Sequence, residues 1–300
     1  MSLPLQTTGT VTSGWAPDVV SRIDVRDFFA DREPLIMRGA TVVNASVEGD
    51  RPSVLVPWID SDANVPFIPE GTEIPPEEPA FAQTEIRTGK LSKLLILSNE
   101  LVGQESVSEQ YLRAASRALA LASNRAFLLN EPDNNHPNFS VGLLHDENVL
   151  QITEPFMGAN FDLLQTAIGL SESEGGMPDL LVMNPYTWSV LQQLKTGEGS
   201  NQPLLGLGTE ATERRLAGLE VRTEPSMPDG KLLVIDPTST AAVIGPVVGA
   251  SDTSRYFEKD SRAIRTTWRQ GWKVMHPTRN ILLTVDPTIM GGADPSNKED

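Results

Sequence analysis

The chain has 300 residues, 39% hydrophobic and 21% charged, with a formal net charge of −16 and no cysteine. Without thiols, disulfides, thiolate zinc sites, iron–sulfur clusters and cysteine nucleophiles are excluded together, and the acidic balance opposes nucleic acid except through segregated basic residues. No apolar run approaches the ~18 residues of a membrane span, and residues 1–14 lack the basic-then-apolar order of a secretory signal, so the expected compartment is the cytoplasm of the producing cell.

Residues 1–33 begin small and polar, then carry a weakly amphipathic stretch at 18–32. They are expected to form an extended arm with at most a short helix. Residues 38–47 are β-prone through Ala40, Thr41, Val42 and Val43. Gly49 and Asp50 mark a turn, and 53–59 resume strand character. From Pro57 to Pro79 stand six prolines interleaved with carboxylates. Proline removes backbone donors, so this stretch is neither an interior strand nor a helix. It predicts a stiff, exposed limb of a long hairpin, and Trp58, Phe67, Ile68, Ile74 and Phe81 give it more apolar surface than a solvated linker carries.

Residues 84–97 read as strand, with Leu91 among Ile86, Thr88, Lys90 and Ser92, then an apolar run at 94–97. Ser106 and Glu109 have the spacing of a capping box. A helix is predicted over 107–130, about 36 Å long, stopped by Pro132, with Leu112, Ala115, Leu119, Ala122, Ala126 and Leu129 as its apolar stripe. Alternating units follow: helices at 161–170, 185–195 and 211–216, and strands at 179–183, 219–222 and 232–235. That mix predicts a compact α/β or α+β unit. From 256 the pattern returns to period two, with Ile264, Trp268, Trp272 and Val274 on one face and Arg265, Thr267, Arg269 and Lys273 on the other. Residues 280–285 form a last strand, and 290–300 a charged tail.

Charge is segregated along the chain. Residues 52–86 hold Asp60, Asp62, Glu70, Glu73, Glu77, Glu78 and Glu85 and no Lys or Arg, whereas 255–279 hold Arg255, Lys259, Arg262, Arg265, Arg269, Lys273 and Arg279 against Glu258 and Asp260. These are either solvated faces or complementary patches that meet across a subunit contact.

Catalytic signals are at background. Gly206-Leu207-Gly208-Thr209-Glu210-Ala211 fits a dinucleotide loop but lacks the preceding long buried strand. Glu73, Glu77 and Glu78, and Asp60-Ser61-Asp62, lack the glycine and spacing of a calcium loop. His136, His145 and His276 have no paired spacing for a metal. The sequons at Asn44 and Asn138 carry little weight without a secretory signal. No catalytic residue, cofactor or metal site is assigned, and the chain is read as a structural protein.

One ordered block carries a resemblance. It runs Pro66-Phe67-Ile68-Pro69-Glu70-Gly71-Thr72-Glu73-Ile74, Phe81-Ala82-Gln83, Gly89-Lys90-Leu91-Ser92-Lys93 and Leu97-Ser98-Asn99-Glu100-Leu101, and ends with the helix and Asn130-Glu131. Val182-Met183-Asn184-Pro185-Tyr186-Thr187-Trp188 with Leu191 and Lys195, then Gly218-Leu219-Glu220-Val221, then Trp272-Lys273-Val274 with Pro277 follow in order. Over residues 40–285 this resembles the tailed-phage major capsid proteins of the Hong Kong 97 fold. The resemblance implies an α+β fold: an N-terminal arm (1–33), a P-domain strand region (34–46), an extended E-loop hairpin (47–83) and a P-domain with a spine helix (84–139). An A-domain (140–251), further P-domain strands (252–286) and a tail (287–300) complete it.

It also implies self-assembly into hexamers and pentamers of an icosahedral shell enclosing double-stranded DNA, in a virion built in the host bacterial cytoplasm. The implied partners are other copies of the chain, a separate scaffolding protein, a portal, a decoration protein, and DNA held without sequence specificity in a mostly repulsive interior. No membrane is involved. The interface falls on Trp58, Phe67, Ile68, Glu73, Ile74, Glu77 and Glu78 of the E-loop and on Arg265, Arg269 and Lys273 of the P-domain. Some family members cross-link an E-loop lysine to a neighbour's asparagine beside a catalytic glutamate. Here 47–83 has no lysine and 264–274 neither Asn nor Glu, so no isopeptide bond is expected. The rival readings are an encapsulin-like nanocompartment shell, whose usual N-terminal helix is replaced here by an arm-like start, and a nucleotide-dependent enzyme resting only on residues 206–211.

Overall fold

The computed structural model describes residues 20–43, 53–59, 67–68, 81–102, 105–132, 140–156, 161–194 and 214–285. In chain order the strands are β1 (Val20–Ile23), β2 (Thr41–Val43), β3 (Ser53–Ile59), β4 (Phe81–Arg87), β5 (Gly89–Ser98), β6 (Leu150–Phe156), β7 (Leu180–Met183), β8 (Arg215–Leu216), β9 (Leu219–Thr223), β10 (Lys231–Ile235), β11 (Thr240–Ile244), β12 (Val247–Asp252), β13 (Ser261–Val274) and β14 (Ile281–Val285). The principal helices are Glu105–Leu129, Asp162–Ser173 and Pro185–Gln193. No helix among the described residues is long and apolar enough to cross a membrane.

The first sheet is organised by β13. One edge pairs with β5 from Ser261↔Ser98 to Gln270↔Gly89. The other takes β12 and then β11, two strands interrupted at Gly245 and Pro246. The Trp268 indole N–H donates to the Gly245 carbonyl at 2.9 Å across that interruption. β1 extends the sheet beyond β12, antiparallel, and β2 beyond β11, parallel.

Alternation along β13 sends Ile264, Thr266, Trp268, Gln270 and Trp272 onto the long helix, all of them buried. The contacts are specific. Phe127 meets the Trp272 ring edge-on at 5.4 Å, the Tyr111 and Thr266 hydroxyls lie 3.2 Å apart, and the Ser123 hydroxyl donates to Gln270 Oε1 at 2.6 Å. The helix runs from Glu105, two residues earlier than its sequence signal. Its buried stripe is Tyr111, Leu112, Ala115, Ser116, Leu119, Ala120, Ser123, Asn124, Phe127 and Leu128. Ala122, expected in the stripe, is exposed, because the core is wide enough to take pairs of adjacent residues each turn. Past the helix, Gly142, Leu143 and Leu144 donate their amides to the carbonyls of Asn130, Phe127 and Leu128 at 2.7–3.0 Å, satisfying the orphan acceptors of its last turn.

The second sheet has the order β6-β14-β10-β7-β9-β8. Its central strands are buried on both faces, which explains their unbroken apolar sequences. Leu180, Val182, Leu233, Ile235 and Leu282 join the core beneath the long helix. Leu181, Met183, Leu232, Val234, Ile281 and Leu283 face a second core beneath the two shorter helices. The Asn-Pro-Tyr-Thr-Trp segment is structural. Asn184 caps the helix by accepting the Tyr186 amide at 2.8 Å, Pro185 starts it, Thr187 accepts the Gly230 amide at 2.9 Å, and Trp188 is buried in the second core.

Several expectations change. Residues 20–33, expected in an extended arm with at most a short helix, contain the short helix Val25–Phe28, but they also add β1 to the first sheet and bury Phe28 and Phe29 at 4% and 2% exposure. The Phe29 ring packs tilted against Trp268, centroids 4.7 Å apart, so core packing claims this stretch. The helix expected at 211–216 is instead, in its described part, the strand β8, paired with β9 across a turn in which Ala217 and Gly218 have φ of 52° and 88°. Left-handed backbone at that point ends any helix. β11 and β12, expected with the 140–251 unit, belong to the first sheet, and β14, expected with 252–286, to the second. The chain crosses between these two sheets three times, after β5, β10 and β13, and buried side chains satisfy the backbone at the last two crossings. Asn280 accepts the Asp236 amide at 3.1 Å, and Asp236 accepts the amides of Thr238 at 2.8 Å and Met177 at 3.1 Å.

Candidate assembly interface

β3 and β4 form a two-stranded ribbon, paired from Ser53↔Arg87 to Ile59↔Phe81. Alternation gives the ribbon an inner and an outer side. Val54, Val56 and Ile86 point inward and pack on Val43, Ala241, Val243 and Met275. Ala241 lies opposite Lys273 in the ladder, so the ribbon sits on the sheet face turned away from the long helix. Leu55 points the other way and is 64% exposed.

β4 turns into β5 at Thr88, directly above Gly271. A Cβ at Gly271 would lie 2.4 Å from the Arg87 carbonyl oxygen, so this crossing requires glycine for space. At the ribbon surface Glu85 accepts from Arg87 at 3.2 Å. The Ser53 hydroxyl first, and this guanidinium second, hold the Glu85 carboxyl below the usual carboxylate range.

The predicted ribbon residues have different surroundings. Trp58 is half-buried, its ring edge-on to His276 of the same chain at 5.4 Å. Phe67 is fully exposed and Ile68 half-buried. Glu73, Ile74, Glu77 and Glu78 lie outside the described residues, as does the 206–211 loop.

The remaining outer face of the first sheet brings Arg265 and Arg269 onto one surface, whereas Lys273 lies further along β13, opposite Ala241 at the ribbon end and near Glu85 and Arg87. Arg265 stands opposite Leu94, and Arg269 opposite Lys90. Arg265, Lys273, Lys90, Leu94 and Ile96 are exposed, the last two at 57% and 47%. Among the described residues none of these four cations has an ion-pair partner. Like charges directly opposite across a ladder repel, so an anion seated between Lys90 and Arg269 would relieve the pair. Apolar side chains framed by unpaired cations suit an acidic segment that carries apolar residues of its own.

The sequence reading missed Lys90, Leu94 and Ile96 as surface residues. The run at 94–97 looks like one buried segment, yet period two places Lys90, Ser92, Leu94 and Ile96 on one face. That alternation was the available signal. Among the described residues there is no group of three His, Asp or Glu side chains that could hold a metal ion.

A layered α+β subunit with one long helix under a sheet and a ribbon projecting over the other face is the Hong Kong 97 capsid fold. The phage capsid family matches residues 30–285, and the chain belongs to that family. It is therefore a structural protein of a capsid shell and a virion component, not an enzyme. Solved structures agree on the fold. A Gordonia phage Cozz chain is 14% identical, with TM-score 0.61 over 85% of this chain and 87% of that one. A Mycobacterium phage Bobi chain is 15% identical, with TM-score 0.60 over 95% and 99%. A chain from the capsid of an empty GTA particle is 17% identical, with TM-score 0.59 over 83% and 89%. No curated protein matches the sequence.

Proposed function

We propose that the chain assembles as hexamers and pentamers into an icosahedral shell around double-stranded DNA, held without covalent cross-links. The observation that carries the reading is the outer face of the first sheet, where Arg265, Arg269 and Lys90, which have no ion-pair partner among the described residues, share a face with exposed Leu94 and Ile96. The acidic, proline-rich limb of an adjacent subunit (Glu73, Glu77 and Glu78 with Phe67, Ile68 and Ile74) complements that face in charge and in apolar character. Burial of the apolar residues drives association, and the charges set register and salt sensitivity. In this reading the ribbon is the E-loop, the long helix with the first sheet the P-domain, and the second sheet with its helices the A-domain. Residues 1–19 of the expected arm lie outside the described residues. Assembly takes place in the host cytoplasm with a separate scaffolding protein and a portal, and a decoration protein is a further partner.

The test is negative-stain microscopy of the purified protein beside a Glu73→Lys/Glu77→Lys/Glu78→Lys variant. Wild type should give hollow shells and the variant few or none. Shells of normal yield from the variant would refute the electrostatic contact, and a small oligomer from wild type would refute the shell. Boiled particles should run as a single monomer band on denaturing gels, and a ladder of higher bands would refute noncovalent closure.

A further inference from the structure

The long helix has a second surface, turned away from the sheet. Between Tyr111 and Leu129 its exposed charged residues are Arg113, Arg117 and Arg125, and the stretch contains no Asp or Glu. The helix opens with Glu105 and Glu109, and the all-arginine charge of its remaining turns is an exception in a chain of net charge −16. Along the axis Arg113 and Arg117 are about 6 Å apart and Arg125 lies about 18 Å from Arg113.

The same helix forms one wall of a cleft of about 580 Å³, where Arg32 and Arg222 come near Arg113 and Arg117. The buried carboxylate lining it, Glu224, is already satisfied. One oxygen accepts from Arg32 at 3.3 Å and from Asn124 at 2.7 Å, the other from the Ser226 hydroxyl at 3.1 Å. Arg222 donates to the Glu33 carbonyl oxygen. Arg117 has no partner among the described residues. Asp31 and Glu33 are the other acids of the lining.

The two cationic surfaces of the subunit differ in kind. On the outer sheet face the cations frame Leu94 and Ile96, as in a protein contact with an apolar centre. On the helix none of the large exposed hydrophobics occurs, and alanines 114 and 122 fill the surface between the arginines. A planar guanidinium reads phosphate bidentately without needing an apolar partner. We infer that this arginine face, with the cleft at its start, binds the phosphate backbone of the enclosed nucleic acid without reading its sequence. The inference rests on the reading above that the shell encloses DNA. It places a small attractive patch in an interior that net charge makes repulsive.

The test measures binding of the purified full chain to a fluorescent duplex by anisotropy, from about 50 to 200 mM salt. Wild type should weaken steeply with salt. Arg117→Ala/Arg125→Ala should flatten the log–log slope by about 1.8, at ~0.9 per lost phosphate contact, and weaken binding roughly tenfold. Arg117→Lys/Arg125→Lys should keep the slope, and Arg255→Ala/Lys259→Ala, which removes two exposed cations elsewhere on the surface, should bind as wild type does. An unchanged slope in the first double variant overturns the inference. So does normal DNA binding with loss of shells, because the face would then belong to a protein contact. Shell formation is scored on the same wild-type sample. Shells without the slope change refute only this inference, and absence of shells refutes the functional reading.

Discussion

Replacing Gly271 with alanine sets a methyl group into the corner where the ribbon joins the first sheet. The added carbon would lie 2.4 Å from the Arg87 carbonyl oxygen, 3.0 Å from its carbon and 3.1 Å from the Thr88 Cα. All three neighbours are backbone atoms, and Thr88 is 3% exposed, so no flexible side chain can yield. Contacts below 3.0 Å are essentially never observed for Cβ, so the corner must retreat by about 0.6 Å. Overpacking of this kind costs about 1–3 kcal/mol. With ~2–4 °C of melting temperature per kcal/mol in larger domains, Gly271→Ala should melt roughly 2–12 °C below wild type. Retreat of the corner also lifts Ile86 from Val243, so limited proteolysis should cut the 60–80 stretch sooner in the variant. Scanning calorimetry of the unassembled subunit and timed digestion measure the two effects. A melting temperature within 1 °C of wild type together with unchanged digestion would refute the claim that glycine is required there.

Three further outcomes are expected. Asn124→Ala strands the Leu35 amide, now bonded to Asn124 at 2.6 Å, and removes a donor from buried Glu224. Denaturant titration should show a loss of about 2–4 kcal/mol, and a loss below ~0.5 kcal/mol would mean that water replaces the amide. Leu94→Ser/Ile96→Ser should leave subunit stability within about 0.5 kcal/mol while sharply reducing shell yield in microscopy. Destabilisation with normal shells would assign both residues to the core. Glu85 contributes stability to the ribbon that is present above the unfolded carboxylate value of about 4.3 and fades as pH falls through its lower folded value. Acid should therefore accelerate digestion of the 60–80 stretch in wild type, and Glu85→Gln should remove that acceleration. Equal acid sensitivity in both proteins would show that the Ser53 and Arg87 contacts are incidental.

The elements most legible in the sequence were those whose periodicity reports on a single core. The alternation of Ile264, Trp268 and Trp272, the stripe from Leu112 to Leu119, and the Asn184-Pro185 helix start each depend on local spacing. What stayed hidden depends on partners remote in sequence. β12 places Gly249 and Ser251 on its buried face, opposite Thr266 and Ile264 of β13, so it shows no apolar alternation. Ser123, Asn124, Gln270 and Glu224 look like surface residues, yet each is buried with a polar partner from another element. The basic strand face was readable from β13 alone. Its apolar companions Leu94 and Ile96 were not, because the run at 94–97 conceals which pair faces outward until the register with β13 is known.

The second sheet forms a wall shared by both cores. Odd and even residues of β7, β10 and β14 line opposite compartments, so neither compartment can loosen while the other keeps its boundary. Melting of the isolated subunit should then be a single cooperative event despite two hydrophobic centres, with calorimetric and van't Hoff enthalpies in agreement. A particle built from such subunits has its pliancy where subunits touch, and its tiles stay rigid as the shell changes curvature.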